Sequence, residues 1–552
     1  MTAALDRDSP WYSGGKGTWL LAALVAALLS VVAYANGLGG ELVLDDRYFL
    51  VDNPHLTEPH DLSYFFTGNV WSYSTVPHFS AIYRPLYFAV IWLGNDLWPG
   101  SALALHLFSL SLHLAATLLL LAVIPRLLPD ISPLAAGAGT CLFAVHPVHV
   151  EAVAWISAFI HPMTTALILA SYLFHDQHQR GKNFYALVPA GFFFLVALLT
   201  SEMATAYPFL ILALDWIRHG RPRPLWAAPY FVLLALYLVV RNIVLGESIP
   251  LAFSDPDAWF RLPVFLANFL GNLILPYPQP LYLAMPTGWT ISPASGLAAG
   301  SLVILLGILL TRRTHDRRGP LIAAAWIFVG LLPPLAGSFN PTPLFSLRPL
   351  YMPSVGIAIL VAWFINTPAF VRQRAGLTVA VFSALLLLPL GLTVEANRDW
   401  LDDRRVFGRI IAFNPGHHAG HLGLARYLER TGHVEDAVAL LEAAVALASP
   451  SNKAAVLEAL GLTLGKSGDS ARSLEIFRQV TILEPNRSSA WVGVGNNLWY
   501  LGRLPEAADA YRKAHAADAG NREACYNLVL VLKNLGKTRE AARYAACAAI
   551  RP

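Results

Sequence analysis

The sequence predicts an all-α chain in two parts, a polytopic bundle of about eleven membrane helices followed by a soluble α-solenoid, and three observations predict it. The 552 residues are 56% hydrophobic and only 13% charged, with a mean hydropathy of +0.50; these values belong to a polytopic membrane protein rather than a soluble globule. The charge is uneven: residues 400–552 carry 34 of the 74 charged side chains. In that same region Gly432, Gly468, Gly502 and Gly536 recur at intervals of 36, 34 and 34 residues. The predicted domains are therefore a membrane part, 1–397, with an outer loop at 39–83, and a soluble part, 398–552.

A spanning helix needs about 20 apolar residues. Eleven stretches approach that length: 19–38, 101–124, 133–153, 155–175, 184–200, 203–217, 225–244, 294–311, 320–336, 350–365 and 377–394. Ala33-Tyr34-Ala35 resembles a signal-peptidase site, but the region before the first run is long and carries Asp6 and Asp8. The first run therefore reads as an uncleaved helix. Residues 85–98 are apolar but short and read as an interfacial helix. Residues 262–282 contain Pro276, Pro278 and Pro280 and read as a re-entrant or surface segment.

Orientation follows from lysine and arginine. With a cytoplasmic N-terminus, 14 basic residues fall on the cytoplasmic side and 5 on the opposite side before the tail. That bias puts the first loop and, after an odd number of spans, the C-terminal part outside the cytoplasm. The basic residues are spread through short loops, so the net charge of +4 does not suggest nucleic acid. There are three cysteines and no CxxC, which argues against zinc and thioredoxin chemistry. Cys141 lies in an apolar run as a small core residue. Cys525 and Cys547 fall near facing ends of one predicted helix pair, and read as a disulfide or as two small buried residues.

The outer loop opens with Asp45 and Asp46, next to Arg47. Adjacent carboxylates repel each other, and a chain keeps them where a cation, a metal or proton chemistry offsets the cost; a solvated turn is the bland alternative. The same predicted face collects Arg84, Arg241 and Arg348, the segment His146-Pro147-Val148-His149-Val150-Glu151, Glu202 in a tight turn, and Tyr351. Each one alone reads equally as an interfacial side chain reaching water. Together, acids and arginines describe a site for an anion and a proton acceptor. A phosphate leaving group with a general base fits that pattern, with Asp45 and Asp46 catalytic and Arg84, Arg241 and Arg348 on the phosphate.

In the soluble part, each recurrent glycine is followed by an alanine/aromatic pattern such as Glu506-Ala507-Ala508-Asp509-Ala510-Tyr511. A 34-residue period with these marks is the tetratricopeptide repeat. The third repeat matches best, with Trp491, Gly495, Ala507, Tyr511 and Ala514; in the first, Ala425 stands where glycine is common. Such a stack presents a concave surface to a peptide or protein.

The order of these motifs (the acid pair, Tyr83-Arg84-Pro85-Leu86, His146–Trp155, Ser201-Glu202, Arg348–Gly356, then the repeats) resembles the transmembrane-and-tetratricopeptide O-mannosyltransferases and their bacterial relatives, which are GT-C glycosyltransferases. The resemblance spans nearly the whole chain. It implies a multi-pass enzyme of a bacterial inner membrane, with periplasmic or otherwise extracytoplasmic repeats. It also implies that a sugar is taken from a polyprenyl-phosphate donor and passed, with inversion, to an acceptor protein or glycan. The resemblance makes Asp45 the base; Arg47, His146, His149, Glu151, Glu202 and Tyr351 join it as other site-lining residues. No metal and no cofactor beyond the lipid-linked donor are expected; the remaining partners are the acceptor, met through the repeats, and membrane lipids. One departure stands out: relatives often carry lysine before the glutamate of the turn, and here Ser201 takes its place. The alternatives are a lipid-carrier flippase or other transporter, which would need polar residues at mid-membrane, and a membrane-anchored repeat scaffold for envelope assembly.

Overall fold

A computed structural model describes residues 15–51, 53–56, 61–73, 82–181, 183–246, 256–274, 283–284, 317–339, 344–366 and 375–548. The chain forms two compact units, Met1–Val406 and Phe407–Pro552. It is all-α apart from one two-residue antiparallel ladder, β1 (Leu283–Ala284) with β2 (Leu344–Phe345).

The first unit runs α1 (Lys16–Tyr34), α2 (Pro85–Leu97), α3 (Ala102–Leu127), α4 (Pro133–Val145), α5 (Val150–Ala154), α6 (Ile160–Gly181), α7 (Leu187–Thr200), α8 (Tyr207–His219), α9 (Pro224–Leu245) and α10 (Pro256–Ile274). It continues with α11 (Arg318–Gly330), α12 (Leu332–Ala336), α13 (Ser354–Ile365) and α14 (Ala375–Asn397). Among the described residues six helical stretches are long and apolar enough to cross a membrane, and α4 with the helix after it makes a seventh, bent by 45°. Shorter apolar helices cover Phe184–Thr200 and Arg261–Ile274. The predicted span 294–311 lies outside the described residues, as does the end of 262–282; its beginning is helical, to Ile274.

The bend falls at His146, where the chain leaves the helix for extended backbone (φ −71°, ψ 123°). Pro147 is the cause, because proline disfavours helical backbone in the residue before it. The imidazole Nδ1 of His146 then accepts the Val148 N–H at 3.3 Å and restarts the chain as a short helix. Small residues set the packing around this bend. A Cβ on Gly139 of α4 would collide with the Ala358 carbonyl of α13, and one on Gly356 would stand 2.5 Å from the Ala323 carbonyl of α11. Helices in lipid gain their contacts through such close approach, since burial of apolar surface no longer separates them from solvent.

Between α1 and α2 the described part of the loop is built of short 3₁₀ and π turns around Phe49, Leu50, Leu56, Phe65, Val70 and Tyr73, all buried. They pack with Tyr87, Phe88 and Ile91 of α2 and with Phe159. Edge-to-face pairs such as Phe49–Phe88 (5.5 Å between centroids) order this aromatic pad. The loop is therefore a folded cap on one end of the bundle, with its own apolar core.

From α15 (Asp403–Phe413) onward the helices alternate as antiparallel pairs: α16 (His418–Arg430), α17 (Val434–Leu447), α18 (Pro450–Lys466), α19 (Ser470–Leu483), α20 (Ser488–Tyr500), α21 (Leu504–Ala517), α22 (Arg522–Asn534) and α23 (Thr538–Ala548). The four periodic glycines all take positive φ, from 74° to 89°. Each ends the first helix of a pair in the left-handed conformation that glycine adopts without steric cost. The Phe477 ring stands against Gly461 and Gly493 and the Tyr511 ring against Gly495, where any Cβ would collide with ring atoms. Cys525 and Cys547 form a disulfide, Cα–Cα 5.9 Å, that ties α22 to α23.

Candidate active site

The acid pair sits in a turn that is strained on one side and clamped on the other. Asp46 N–H donates to the Val43 carbonyl at 3.0 Å, closing a four-residue turn. Within it Leu44 has φ +53°, and it is the one non-glycine residue with positive φ among the described residues. For an L-residue with a Cβ that conformation costs about 1–2 kcal/mol. The Leu44 N–H is held by Asp403 Oδ1 at 2.9 Å. A π-helical turn, Arg47–Val51, follows at once, a geometry that tends to occur at functional sites.

The two carboxylates have different surroundings. Asp46 is fully buried. Its Oδ1 accepts the Ser157 N–H at 2.7 Å and the Ser157 hydroxyl, and its Oδ2 accepts the Val43 N–H at 3.2 Å. Burial pushes its carboxyl up to about 7, against the pull of those three donors, and the neighbouring Asp45 charge adds to the rise. Asp45 is half-buried, and its carboxylate makes no hydrogen bond among the described residues. Burial raises its carboxyl as well, and the Arg348 guanidinium opposes that rise. Of the two, Asp46 is the tied residue and Asp45 the available one.

Arg348 is the cation of this group. It lies over the Trp155 ring at 4.4 Å, and Trp155 stacks on Trp400 (5.7 Å, 18° between planes). Its Nε is 3.8 Å from Glu151 Oε1. Glu151 is buried on the short helix after the bend, and its Oε2 accepts the backbone N–H groups of Leu347 (2.7 Å) and Arg348 (3.3 Å). The glutamate thus fixes the backbone that carries the arginine. Its Oε1 has no hydrogen bond, so the guanidinium is only loosely held by it.

Arg84 and Glu202 form a second group. Arg84 donates from Nε to Oε2 at 2.7 Å and from Nη2 to Oε1, a two-point pair. Burial opposes ionisation of Glu202, but the Arg84 charge outweighs it and holds the carboxyl below the usual range; Arg241 acts in the same direction. Nearby, Tyr237 donates its hydroxyl to the Tyr83 carbonyl at 3.0 Å. His161, buried at the start of α6, lies within electrostatic reach of both Arg84 and Arg348.

His146, His149 and Tyr351 form a third group in the interior, each at most 4% exposed. The Ser354 hydroxyl donates to the Tyr351 carbonyl (2.7 Å), so His149 Nε2–H donates to Ser354 Oγ (2.7 Å). The Tyr351 hydroxyl meets His113 Nδ1 at 2.6 Å, with His113 Nε2–H donating to the Ala144 carbonyl at 3.1 Å. The His149 and Tyr351 rings are 4.3 Å apart. Arg47, at the start of the π turn, is half-buried and has no ion pair among the described residues.

Ser157, Trp400, Leu44 and Asp403 were not singled out from the sequence. Ser157 stands two residues beyond the motif His146–Trp155, and Asp403 belongs to a second acid pair, Asp402-Asp403, at the composition break. Both signals were in view; only the folded chain brings them to Asp46 and Leu44. The one set of three His, Cys, Asp or Glu donors that converges among the described residues is His515, Cys525 and Cys547, in the repeats, where the two sulfurs are joined.

Fold and site together define a polytopic helical membrane protein with a polar cluster at one end of its bundle and a tetratricopeptide-repeat unit after it. The repeat assignment is matched directly: the tetratricopeptide repeat model fits residues 388–455 and 458–522. Over most of its length the chain is homologous to the TMTC-type protein O-mannosyl-transferases, as the motif order implied. It is 24% identical to Protein O-mannosyl-transferase F38B6.6 of Caenorhabditis elegans, over 77% of this chain and 62% of that one. It is 22% identical to the human Protein O-mannosyl-transferase TMTC3, over 92% of this chain and 65% of that one. The chain thus spans less than two thirds of the length of these curated relatives. Among solved structures, MamA covers 28% of this chain and 88% of its own at 19% identity, with a TM-score of 0.25.

Proposed function

We propose that the chain is a membrane glycosyltransferase that moves a sugar from a polyprenyl-phosphate donor to a serine or threonine hydroxyl of a secreted or membrane protein. The observation that carries this reading is the division of labour in the acid pair. Asp46 is saturated by Ser157 and Val43, while Asp45 keeps an unbonded carboxylate within electrostatic reach of the Arg348 guanidinium. A base next to a cation is what this transfer needs. The acceptor hydroxyl attacks the anomeric carbon as Asp45 takes its proton. The bond from that carbon to the phosphate oxygen breaks, and the lipid phosphate leaves with the electron pair, next to Arg348. A single displacement inverts the anomeric centre, and the proton passes from Asp45 to water.

Arg348 suits the phosphate better than Arg84, because Arg84 is already paired at two points with Glu202 while Arg348 has one loose contact with Glu151. Arg241, buried near Glu202, completes the cationic side. The basic bias of the loops supports placing this end of the bundle, and the repeats, outside the cytoplasm. The names of the relatives support a protein acceptor and mannose as the sugar to try first. The test is purified full-length protein with a panel of polyprenyl-phosphate sugars and serine/threonine peptides, reading carrier-phosphate release and peptide mass. Release together with a hexose-sized mass gain is expected. Absence of both across the panel would leave the transporter or scaffold reading.

A further inference from the structure

We propose that Asp403 is a positioning residue for Asp45: by holding Leu44 in its left-handed turn, it fixes the direction in which the free carboxylate points. This rests on Asp45 being the base. Three relationships support it. Leu44 is a branched side chain at a backbone conformation that glycine or asparagine normally occupies. A turn built that way relaxes unless something outside it holds it. Asp46 clamps the far side of the turn through Val43 and Ser157; at Leu44 itself the hold is a charge-assisted hydrogen bond from the Leu44 N–H to Asp403, 359 residues away in sequence.

The bond is one of a series. Glu41 N–H donates to the Leu401 carbonyl at 2.8 Å. Asn36 Nδ2 donates to the Val394 carbonyl at 2.7 Å, and Asn397 Nδ2 to the Ala33 carbonyl at 2.7 Å. A Cβ on Gly40 would lie 3.5 Å from Leu401 Cα and 3.4 Å from His106 Nε2, so the two segments are in close contact. Trp400, 1% exposed, stacks on the Trp155 that carries Arg348. The stretch after α14 therefore braces both sides of the site, the turn with Asp45 and the platform under Arg348.

Asp45 is the residue after Leu44 in the turn, so relaxing Leu44 rotates the Asp45 Cα–Cβ direction. A displacement of about 1 Å at a reacting group costs on the order of 10²-fold in rate. Asp402 is not in this position: its Oδ1 accepts the Arg405 N–H at 2.9 Å, at the start of α15.

The experiment uses the full chain in the transfer assay, with Asp403→Ala, Asp403→Asn, Leu44→Gly combined with Asp403→Ala, and Asp45→Asn. Asp403→Ala is expected to lower kcat by ~10²-fold with donor KM little changed. Asp403→Asn keeps an acceptor oxygen and loses less. Glycine adopts the left-handed turn unaided, so Leu44→Gly recovers about tenfold of what Asp403→Ala lost. In parallel, amide exchange over residues 43–46 is slow in the parent and fast in Asp403→Ala. The proposal is overturned if Asp403→Ala turns over like the parent, if glycine at 44 recovers nothing, or if exchange at 43–46 does not change. A parental rate for Asp45→Asn removes the base instead, and exchange at 43–46 still decides whether Asp403 holds the turn.

Discussion

Asp46 and Ser157, 111 residues apart, are joined twice, through the serine N–H at 2.7 Å and through its hydroxyl. The junction ties the loop between α1 and α2 to the segment between α5 and α6. It also gives the two adjacent acids different surroundings: Asp46 is a structural acceptor, while the Asp45 carboxylate has no hydrogen bond among the described residues.

The first prediction separates those roles. Asp45→Asn should lose ~10²–10⁴-fold in turnover, the usual cost of removing a general base. Asp46→Asn should lose less turnover but more stability, because an amide NH₂ would face the Val43 N–H where Oδ2 now accepts it. Measuring kcat and thermal unfolding of both variants in the same detergent decides it. Greater loss of turnover in Asp46→Asn would reverse the assignment.

The pH dependence of stability follows from Asp46. Its folded-state carboxyl sits at about 7, against about 4 in an unfolded chain. Between those values the folded protein holds a proton that the unfolded protein has released, so this contribution to stability falls as pH rises through the window. Unfolding temperature should therefore decline from pH 5 to pH 7 (about that span) more steeply in the parent than in Asp46→Asn. Parallel curves would mean that Asp46 is ionised throughout.

Activity should respond through Asp45 and Arg348. Asp45 must be ionised to accept a proton, and burial raises its carboxyl while Arg348 pulls it down. The acid limb of kcat/KM should lie above the ordinary aspartate range. Arg348→Gln removes the opposing charge and should move that limb to higher pH, besides raising donor KM. A limb that stays in place in Arg348→Gln would show that another group titrates.

The helices and repeats were legible because their signals are local. Hydropathy marks a membrane helix residue by residue, and the 34-residue period put the glycines where positive φ is needed. The bend at His146 was less visible, since Pro147 falls within an apolar run that otherwise reads as one span. The site was legible in its residue types and opaque in its pairing. Nothing local distinguishes Asp45 from Asp46; the distinction arises when Ser157 and Val43 saturate one of them. Asp403 was harder still, because its partner is a backbone N–H whose exposure depends on the strain at Leu44.

Cys525 and Cys547 offer a test in the repeats. A crosslink over 22 residues restricts the unfolded chain by about 3 kcal/mol. Cys525→Ser in the full chain should make α23 more susceptible to limited proteolysis, and non-reducing peptide mapping of the parent should find the two cysteines in one crosslinked peptide. Two free thiols in protein purified without reductant would remove the bond. The bond also requires an oxidising compartment, so a C-terminal reporter active only in the cytoplasm should be silent.

Where the chain can be shortened is the sharpest consequence of the brace. The composition break suggests cutting near Asn397, but Trp400, Leu401 and Asp403 lie beyond that point and contact Trp155, Glu41 and Leu44. The first compact unit runs to Val406. A chain ending after Val406 keeps those three contacts and loses the repeats. It should retain slow hydrolysis of the lipid-linked sugar and lose transfer to a protein acceptor, because the repeats present the surface that such an acceptor would meet. A chain ending after Asn397 should lose both activities, although it is shorter by only nine residues. Donor hydrolysis and acceptor transfer, measured on equal amounts of folded protein, tell the cases apart. Equal hydrolysis by the two chains would mean that residues 398–406 have no part in the site. Full transfer by the chain ending after Val406 would take the repeats out of acceptor selection.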